Sequence, residues 1–554
     1  MNLGEFDTLS STDSVSKPYD SSTETGEVTF RPVYRDHVDD AEDLARLGYK
    51  QSFHRGLSLF GVASVSFSVL GLLPSVAATL NFSMLAGTPG MLWGWLIALV
   101  FVLCVAASMA ELCSSMPTSG GLYYSAKVLA PKGWGPLASW VTGWSNYIAQ
   151  LCFLSSCIYS LSNLLIYAAD EFDGKDFVIK HYHIYFLCLS FIVVLSIMAS
   201  LPTWIMGKIN SVFTFLNILS LLAAIIIILV SVSMRDGFNT NMGVWSHFQN
   251  QTDWPIGFAM LMSFCGVLWS MVGLDTSYHL VEECASASVN APNGIMLTAL
   301  VGGFSGWIIH LVIAYTIDDY TAVVEAHNLW VAYLIQVLSH NGAKAVIALT
   351  VFSNFLMAQG VLITSSRTAY SYARDGVLPF SKWIARINKR TTTPVNAVLL
   401  NCSLAALILL LIFKGQYATD AIYSVCGIAA FVAFIIPIGL RSFVVKNSKF
   451  SRGAWHLGRY SKLVGGAGTV FVIILIPILC FPTMIHPSAI DMNWACLGYS
   501  VPMAAVLLWF ALGAKHWYKG PKADMPGLDI PRMSSLKNDA VHHRDSSHST
   551  MNSY

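Results

Sequence analysis

The sequence predicts an all-α membrane protein of about twelve spans, and three observations carry that prediction. Hydrophobic residues make up 55% of the chain and charged residues 11%, with a mean hydropathy of +0.58, whereas an ordinary soluble domain holds roughly 25% charge. Apolar runs near the ~20 residues that cross a ~30 Å hydrocarbon layer recur at roughly 57–80, 91–113, 137–168, 184–202, 208–233, 256–281, 294–317, 344–371, 395–413, 421–443, 466–484 and 494–516. With both termini cytoplasmic, the inner loops collect about fourteen Lys and Arg against about five outside. Two acceptor sequons, Asn81-Phe82-Ser83 and Asn250-Gln251-Thr252, also fall outside in this arrangement.

The same composition argues against several function classes. A net charge of +1, without a basic patch interleaved with aromatics, gives nucleic acid nothing to bind. The 11 cysteines lie in or beside the apolar runs, so neither a disulfide scaffold nor a zinc site is expected, and no cofactor is implied. No nucleophile–base set points to an enzyme.

Residues 1–40 are rich in Ser, Thr, Asp and Lys and read as a disordered cytoplasmic tail. No charged-then-apolar leader opens the chain, so the first span serves as insertion signal. The tail's hydroxyls and Lys17 could accept a kinase's phosphate or ubiquitin, as those of any polar tail could. A membrane domain over 41–516 follows. It begins with Ala41 to Lys50, a short amphipathic helix on the inner surface that Gly48 ends. Span one then mixes hydroxyls, a glycine and a proline in Ser66-Phe67-Ser68-Val69-Leu70-Gly71 and Pro74, where a helix is easily interrupted or at least kinked. Span two ends at Glu111, on the cytoplasmic edge, where a carboxylate is structural or gating. Span three carries Asn146 and Gln150 one turn apart on one face, turned either to a cavity or to a neighbouring helix.

Span six is the most informative. Gly266 and Gly273 loosen it, Asp275 stands in its middle, and Glu282-Glu283 close it. Hydrocarbon holds no water for a freed N–H or C=O, so a weakened helix with an ionisable residue beside the weak point is costly unless it lines a cavity. The competing reading is a core helix whose glycines permit close packing. Two weakened spans, five apart, fit inverted repeats of spans one to five and six to ten that share a binding site. Asp275 is then the best proton or cation candidate, because an ionised carboxylate at mid-depth is disfavoured unless a cation pairs with it; its alternative role is to bond freed backbone N–H groups. His279, one turn on, could share the proton or be a hydrogen-bonded core residue, and His310 in span seven has the same two readings. Glu282 and Glu283 are expected to meet Arg367 or Arg374 at a gate, or to be a solvated pair. In span eight Ser353, Asn354 and Gln359 could line the cavity. Beyond Lys515 to Lys519, an aromatic and basic anchor, residues 517–554 read as a second disordered tail, whose His542-His543 is too isolated for a metal site.

Three segments together resemble the amino acid–polyamine–organocation (APC) superfamily: Glu111 to Tyr124; Trp269 to Glu283 with Ala291-Pro292-Asn293-Gly294-Ile295; and Arg367 to Pro379, closed by Thr393-Pro394. Leu47 to Phe53, Gly71-Leu72-Leu73-Pro74-Ser75 and His279 to Glu283 look like its fungal amino acid/choline transporter branch, which includes the GABA permease. The resemblance covers roughly 41–516. It implies a LeuT-like fold of twelve transmembrane helices, a 5+5 inverted repeat with helices 1 and 6 discontinuous. It further implies secondary active uptake of amino acids or related small amines, a proton symport across the plasma membrane, with a vacuolar or endoplasmic reticulum membrane as the alternative.

By position in that resemblance, Trp269 looks like the aromatic gate over substrate, Asp275 like the acidic residue six positions after it, and Asn146 like a substrate-side amide of span three. The expected substrate-binding set adds Ser66, Phe67, Ser68, Val69 and Gly71 of span one, Gln150, and Ser270 and Gly273 of span six. Asp275 and His279 are the proton-coupling candidates, and Glu111, Glu282, Glu283 and Arg367 the gate. Two positions depart from the family pattern. Phe67, Ser68 and Val69 stand where amino-acid members have a Gly-small-Gly run whose N–H groups hold the substrate carboxylate, and side chains limit such close approach. Asn217 stands where some bacterial proton-coupled members have a Lys, and an amide does not titrate. The poor cradle favours a rival within the class, a carrier for choline, a polyamine or a thiamine-like cation. A non-transporting nutrient sensor that signals through its tails is the rival outside it.

Overall fold

The structure is a computed structural model that describes Leu44 and residues 55–173, 178–235, 237–488 and 492–521. The tail expected at 1–40, the short helix at 41–50 apart from Leu44, and residues 522–554 of the tail expected at 517–554 lie outside the described residues, while 517–521 are described and packed.

Among the described residues every extended element is a helix, and the one β-like pairing is an isolated bridge between Leu57 and Cys284. Eleven helical stretches are long and apolar enough to cross a membrane, and ten of them, from Gly135–Phe172 to Ala495–Trp517, coincide with the ten later runs expected from sequence. The remaining stretch, Leu59–Ser115, is 57 residues long, about 85 Å at ~1.5 Å per residue and far more than one bilayer. It folds back on itself. The Leu57 N–H donates to the Glu283 carbonyl at 3.0 Å and the Ser114 hydroxyl to the Ser288 carbonyl at 2.6 Å, so its two ends meet neighbouring residues. The reversal is a 3₁₀ turn, Met84–Ala86, followed by Gly87 at φ +78°, where a Cβ would stand 2.6 Å from the Gln249 backbone nitrogen.

The helices Gly135–Asp173, His340–Arg374 and Gln416–Gly439 run through the interior, with those holding residues 59–83 and 256–283 between them. Peripheral helices such as His181–Ala199 and Ala495–Trp509 expose Phe186, Ile197, Leu497 and Leu508, the apolar surface that lipid tolerates. After the last of them the chain turns back: Tyr518 is buried with its hydroxyl 2.9 Å from that of Ser139, and Lys127 donates to the Pro521 carbonyl at 2.7 Å.

Two elements do not run straight. Helix Leu59–Leu70 stops at Gly71, which is left-handed at φ +46° and ψ 66°, and helix Leu72–Ser83 begins at once. Pro74 cannot donate to the Leu70 carbonyl four residues back, and the Ser75 hydroxyl takes over that bond. A Cβ at Gly71 would lie 2.7 Å from the Cβ of Met357. The weak point is thus Gly71 itself, while Phe67, Ser68 and Val69 are ordinary helix. In span six, helix Ile256–Ser270 tightens into a 3₁₀ turn at Val272–Asp275, resumes over Thr276–His279 and tightens again at Val281–Glu283. Gly266 does not loosen it. It sits inside regular helix, where a Cβ would come 2.6 Å from the Ser83 hydroxyl, so the close-packing reading holds there. Gly273 lies in the tightened turn, its missing Cβ leaving room for Val69, whose Cγ1 would otherwise be 2.7 Å away.

Candidate functional site

Where span six tightens, its polar side chains meet the polar face of span three. The Asp275 Oδ2 lies 2.9 Å from His279 Nε2 and accepts from Gln150 Nε2 at 3.4 Å, while the Asn146 amide nitrogen is 3.1 Å from the same imidazole nitrogen. None of the four is more than 4% exposed. Asn146 and Gln150 therefore face span six together. With His279 Nε2–H donating to the carboxylate, the Asn146 amide nitrogen, itself a donor, only abuts that ring nitrogen, and Asn146 Oδ1, His279 Nδ1, Asp275 Oδ1 and the Ser270 hydroxyl have no hydrogen-bond partner. Buried polar atoms left unmatched in this way cost about 1–3 kcal/mol each. The Ser66 and Ser277 hydroxyls, 2.8 Å apart and buried, tie spans one and six together; Ser68 donates to the Leu356 carbonyl of span eight at 3.4 Å.

Next to this cluster is an aromatic layer. Trp269 is wholly buried, donates from Nε1 to the Ser156 hydroxyl at 3.1 Å, and packs at 5.2 Å against both Phe153 and Tyr423. Tyr423 in turn donates to the Ser156 carbonyl at 3.2 Å and tilts against Phe82 at 6.3 Å. Span three records the stacking order: Asn146 and Gln150 stand level with Asp275, Phe153 and Ser156 with Trp269, and Tyr159, one turn further, bonds Gln416 at 3.3 Å.

On the other side of Asp275 the carboxylates close a polar layer. Glu282 accepts from the Ser119 N–H at 3.1 Å, the Ser119 hydroxyl at 2.6 Å, the Thr118 hydroxyl at 3.4 Å and Arg374 at 3.3 Å. Glu283 accepts from Arg367 Nε at 3.3 Å. Both carboxylates are buried, so the solvated-pair alternative does not describe this conformation. Glu111 stands apart from these pairs. It accepts from the Ser461 hydroxyl and the Leu457 N–H and lies 4.0 Å from Arg441, anchoring the segment that enters helix Ser461–Leu479.

Other polar candidates bond elsewhere, although Asn217 Nδ2 and Asn354 Oδ1 are buried without a partner. His310 is 2.7 Å from the Gly306 carbonyl and 3.2 Å from the Ser83 hydroxyl, a hydrogen-bonded core residue. The Ser353 hydroxyl donates to Asn217, Asn354 donates to Ser160 at 3.1 Å, and the Gln359 amide, oriented to match its neighbours, meets the Leu195 carbonyl and Ala199 N–H of span four. A cavity of about 630 Å³ lies elsewhere, an apolar hollow along Leu151, Ile408, Val425 and Leu497. Sequence reasoning missed Ser119, Ser156, Ser277 and Tyr423, ordinary residues whose roles come from partners more than a hundred positions away, and Asp420, whose charge just ahead of an apolar run was a usable signal.

A family model described as amino acid permease matches residues 57–502. The chain is 52% identical over 496 residues to an uncharacterized amino-acid permease of Schizosaccharomyces pombe, covering 89% of each chain. It is 37% identical over 511 residues to a putative polyamine transporter of Candida albicans, with 89% of this chain and 91% of that one aligned. It is 28% identical over 517 residues to the GABA-specific permease of Saccharomyces cerevisiae, with 92% and 90% aligned.

Proposed function

Because the chain belongs to the amino acid permease family, and is thus a multi-pass membrane protein rather than an enzyme, we propose that it is a secondary active transporter of amino acids or related small amines. The direction is uptake across the plasma membrane, coupled to protons. The observation that carries the reading is the buried Asp275–His279–Gln150 cluster, set where two spans change winding and flanked by an aromatic layer on one side and paired carboxylates on the other. If Leu59–Ser115 counts as two crossings, the helices number twelve, and the paired irregularities of spans one and six fit a LeuT-like 5+5 inverted repeat.

In this mechanism an ammonium group arriving at Asp275 displaces the carboxyl proton to His279, so proton and substrate are carried inward together. His279 Nε2–H orients the carboxylate, and its Nδ1 provides a place for the departing proton. Trp269 and Tyr423 close the outer side; Glu282–Arg374 and Glu283–Arg367 close the inner side. Alternating access is the alternate opening of these two layers around a fixed Asp275.

Asp275→Asn tests the reading. It should abolish concentrative uptake while the protein stays folded and at the surface, and full accumulation by that variant would overturn the coupling role. A second reading, a carrier for choline, a polyamine or a thiamine-like cation, is favoured by one observation: the N–H groups of Phe67, Ser68 and Val69 lie within regular helix, which leaves a substrate carboxylate no open cradle there. Uptake of labelled zwitterions against labelled cations, with and without an uncoupler, separates the two. Removal of 1–40 and 520–554 separates both from a tail-signalling sensor, since a carrier keeps its flux.

A further inference from the structure

We propose that Asp420 and the cavities beside it form an outer antechamber that selects primary ammonium groups before they pass the Trp269–Tyr423 layer. The inference rests on the transporter reading for its direction of travel. Its geometry stands separately. Helix Gln416–Gly439 carries Asp420 one turn in from its start, three residues before Tyr423. Two cavities, of about 160 Å³ and 70 Å³, meet there and share Asn81 and Asp420 as walls. Phe82, Tyr417, Ser424 and Thr483 help to line the larger, and Tyr159, Asn163, Gln416 and Tyr423 the smaller.

The chemistry of these walls is one-sided. Asp420 forms no ion pair among the described residues; its recorded bond is a single one, from Gln416 Nε2 to Oδ1 at 3.0 Å. A carboxylate with spare acceptor capacity, surrounded by hydroxyl and amide oxygens and by the rings of Phe82 and Tyr423, suits a cation that donates several hydrogen bonds and presents a small charge to aromatic faces. A primary ammonium does both. The larger cavity, of about 160 Å³, has room for a short alkylamine. The only basic lining residue of the smaller cavity, His327, is stacked on Tyr167 at 5.7 Å. The stacking along span three then gives an order of passage: Tyr159 at the antechamber, Ser156 at the lid, Gln150 at Asp275.

The test is equilibrium binding of labelled 1,4-diaminobutane to the full-length protein in lipid nanodiscs. The wild type should bind two equivalents, Asp275→Asn and Asp420→Asn one each, and the double variant none. Excess 1,4-butanediol, of similar shape without charge, should not compete. In transport, Asp420→Asn should raise KM for the diamine about tenfold with Vmax within twofold, and Asp420→Glu should recover most of that loss, which separates lost charge from lost folding. The proposal is overturned if the wild type does not bind the diamine, if Asp420→Asn binds as the wild type does, or if Asp275→Asn binds none. The transporter reading fails on a different result, accumulation by Asp275→Asn, whatever Asp420 does.

Discussion

Replacing Glu282 with alanine removes the acceptor that joins three separate elements: span six through its own backbone, the segment after span two through Thr118 and Ser119, and the end of span eight through Arg374. In the proposed mechanism these partners converge only while that end of the bundle is shut, so the interaction would act on the balance between shut and open states. Removing one partner of a buried ion pair costs about 3–5 kcal/mol. The Arg374 side chain is 17% exposed and also bonds the Ser119 hydroxyl, which places the loss at the low end of that range. About 3 kcal/mol is ~150-fold in the ratio of shut to open protein. Cys284, two positions on, supplies a native reporter, because it is buried in the shut state. Alkylation of membranes with a permeant maleimide, resolved by peptide mass spectrometry, should show Cys284 in Glu282→Ala reacting up to ~150-fold faster, while buried Cys157 of span three stays at its wild-type rate. Glu282→Gln should fall between, since an amide oxygen still accepts from Ser119. A folded Glu282→Ala protein whose Cys284 labels at the wild-type rate would refute the latch.

The remaining predictions concern the break, the tie between spans and the orientation. Gly71→Ala puts an L side chain in the left-handed region, which costs roughly 1–2 kcal/mol before the contact with Met357 is counted. Thermal unfolding should show a lower Tm and uptake should fall, with Gly71→Ala/Met357→Ala recovering part of both; a wild-type Tm for the single variant would show that the turn does not need glycine. Ser66→Ala strands the buried Ser277 hydroxyl at a cost of about 1–3 kcal/mol, and Ser66→Ala/Ser277→Ala should be less destabilised than the two single variants added together; strict additivity would remove the coupling. Asn250 is exposed in a loop, whereas Asn81 is held in helix Leu72–Ser83 with its sequon serine bonded to His310. A deglycosylation-sensitive gel shift should therefore vanish in Asn250→Gln and persist in Asn81→Gln, and the converse pattern would require the outer loops to be redrawn.

The transmembrane runs were legible because hydrocarbon demands a continuous apolar stretch wherever the chain crosses, and composition records that directly. Asp275 was legible for a related reason, since a carboxylate in such a stretch must be explained. The break in span one was legible as a stretch, Ser66 to Gly71 with Pro74, and the structure puts it at Gly71. Ser66 to Val69 looks as weak as Gly71 in isolation, but Met357, from span eight, is what fits only against a residue without a side chain. Gly266 and Gly273 look alike in sequence, yet one packs on Ser83 inside regular helix and the other on Val69 in a tightened turn. Asp420 was passed over because it stands just outside the run at 421–443, and its significance depends on cavities assembled from distant helices.

What this sequence determined by itself is how often its chain meets the bilayer, which residues cannot face lipid, and where its helices are weakest, because each follows from the transfer of local side chains and backbone out of water. Tertiary structure decided which weak point yields, which of several buried polar groups share a hydrogen bond, and which carboxylates find a cation. Those outcomes depend on short-range contacts between residues more than a hundred positions apart, and such contacts exist only once the helices have packed.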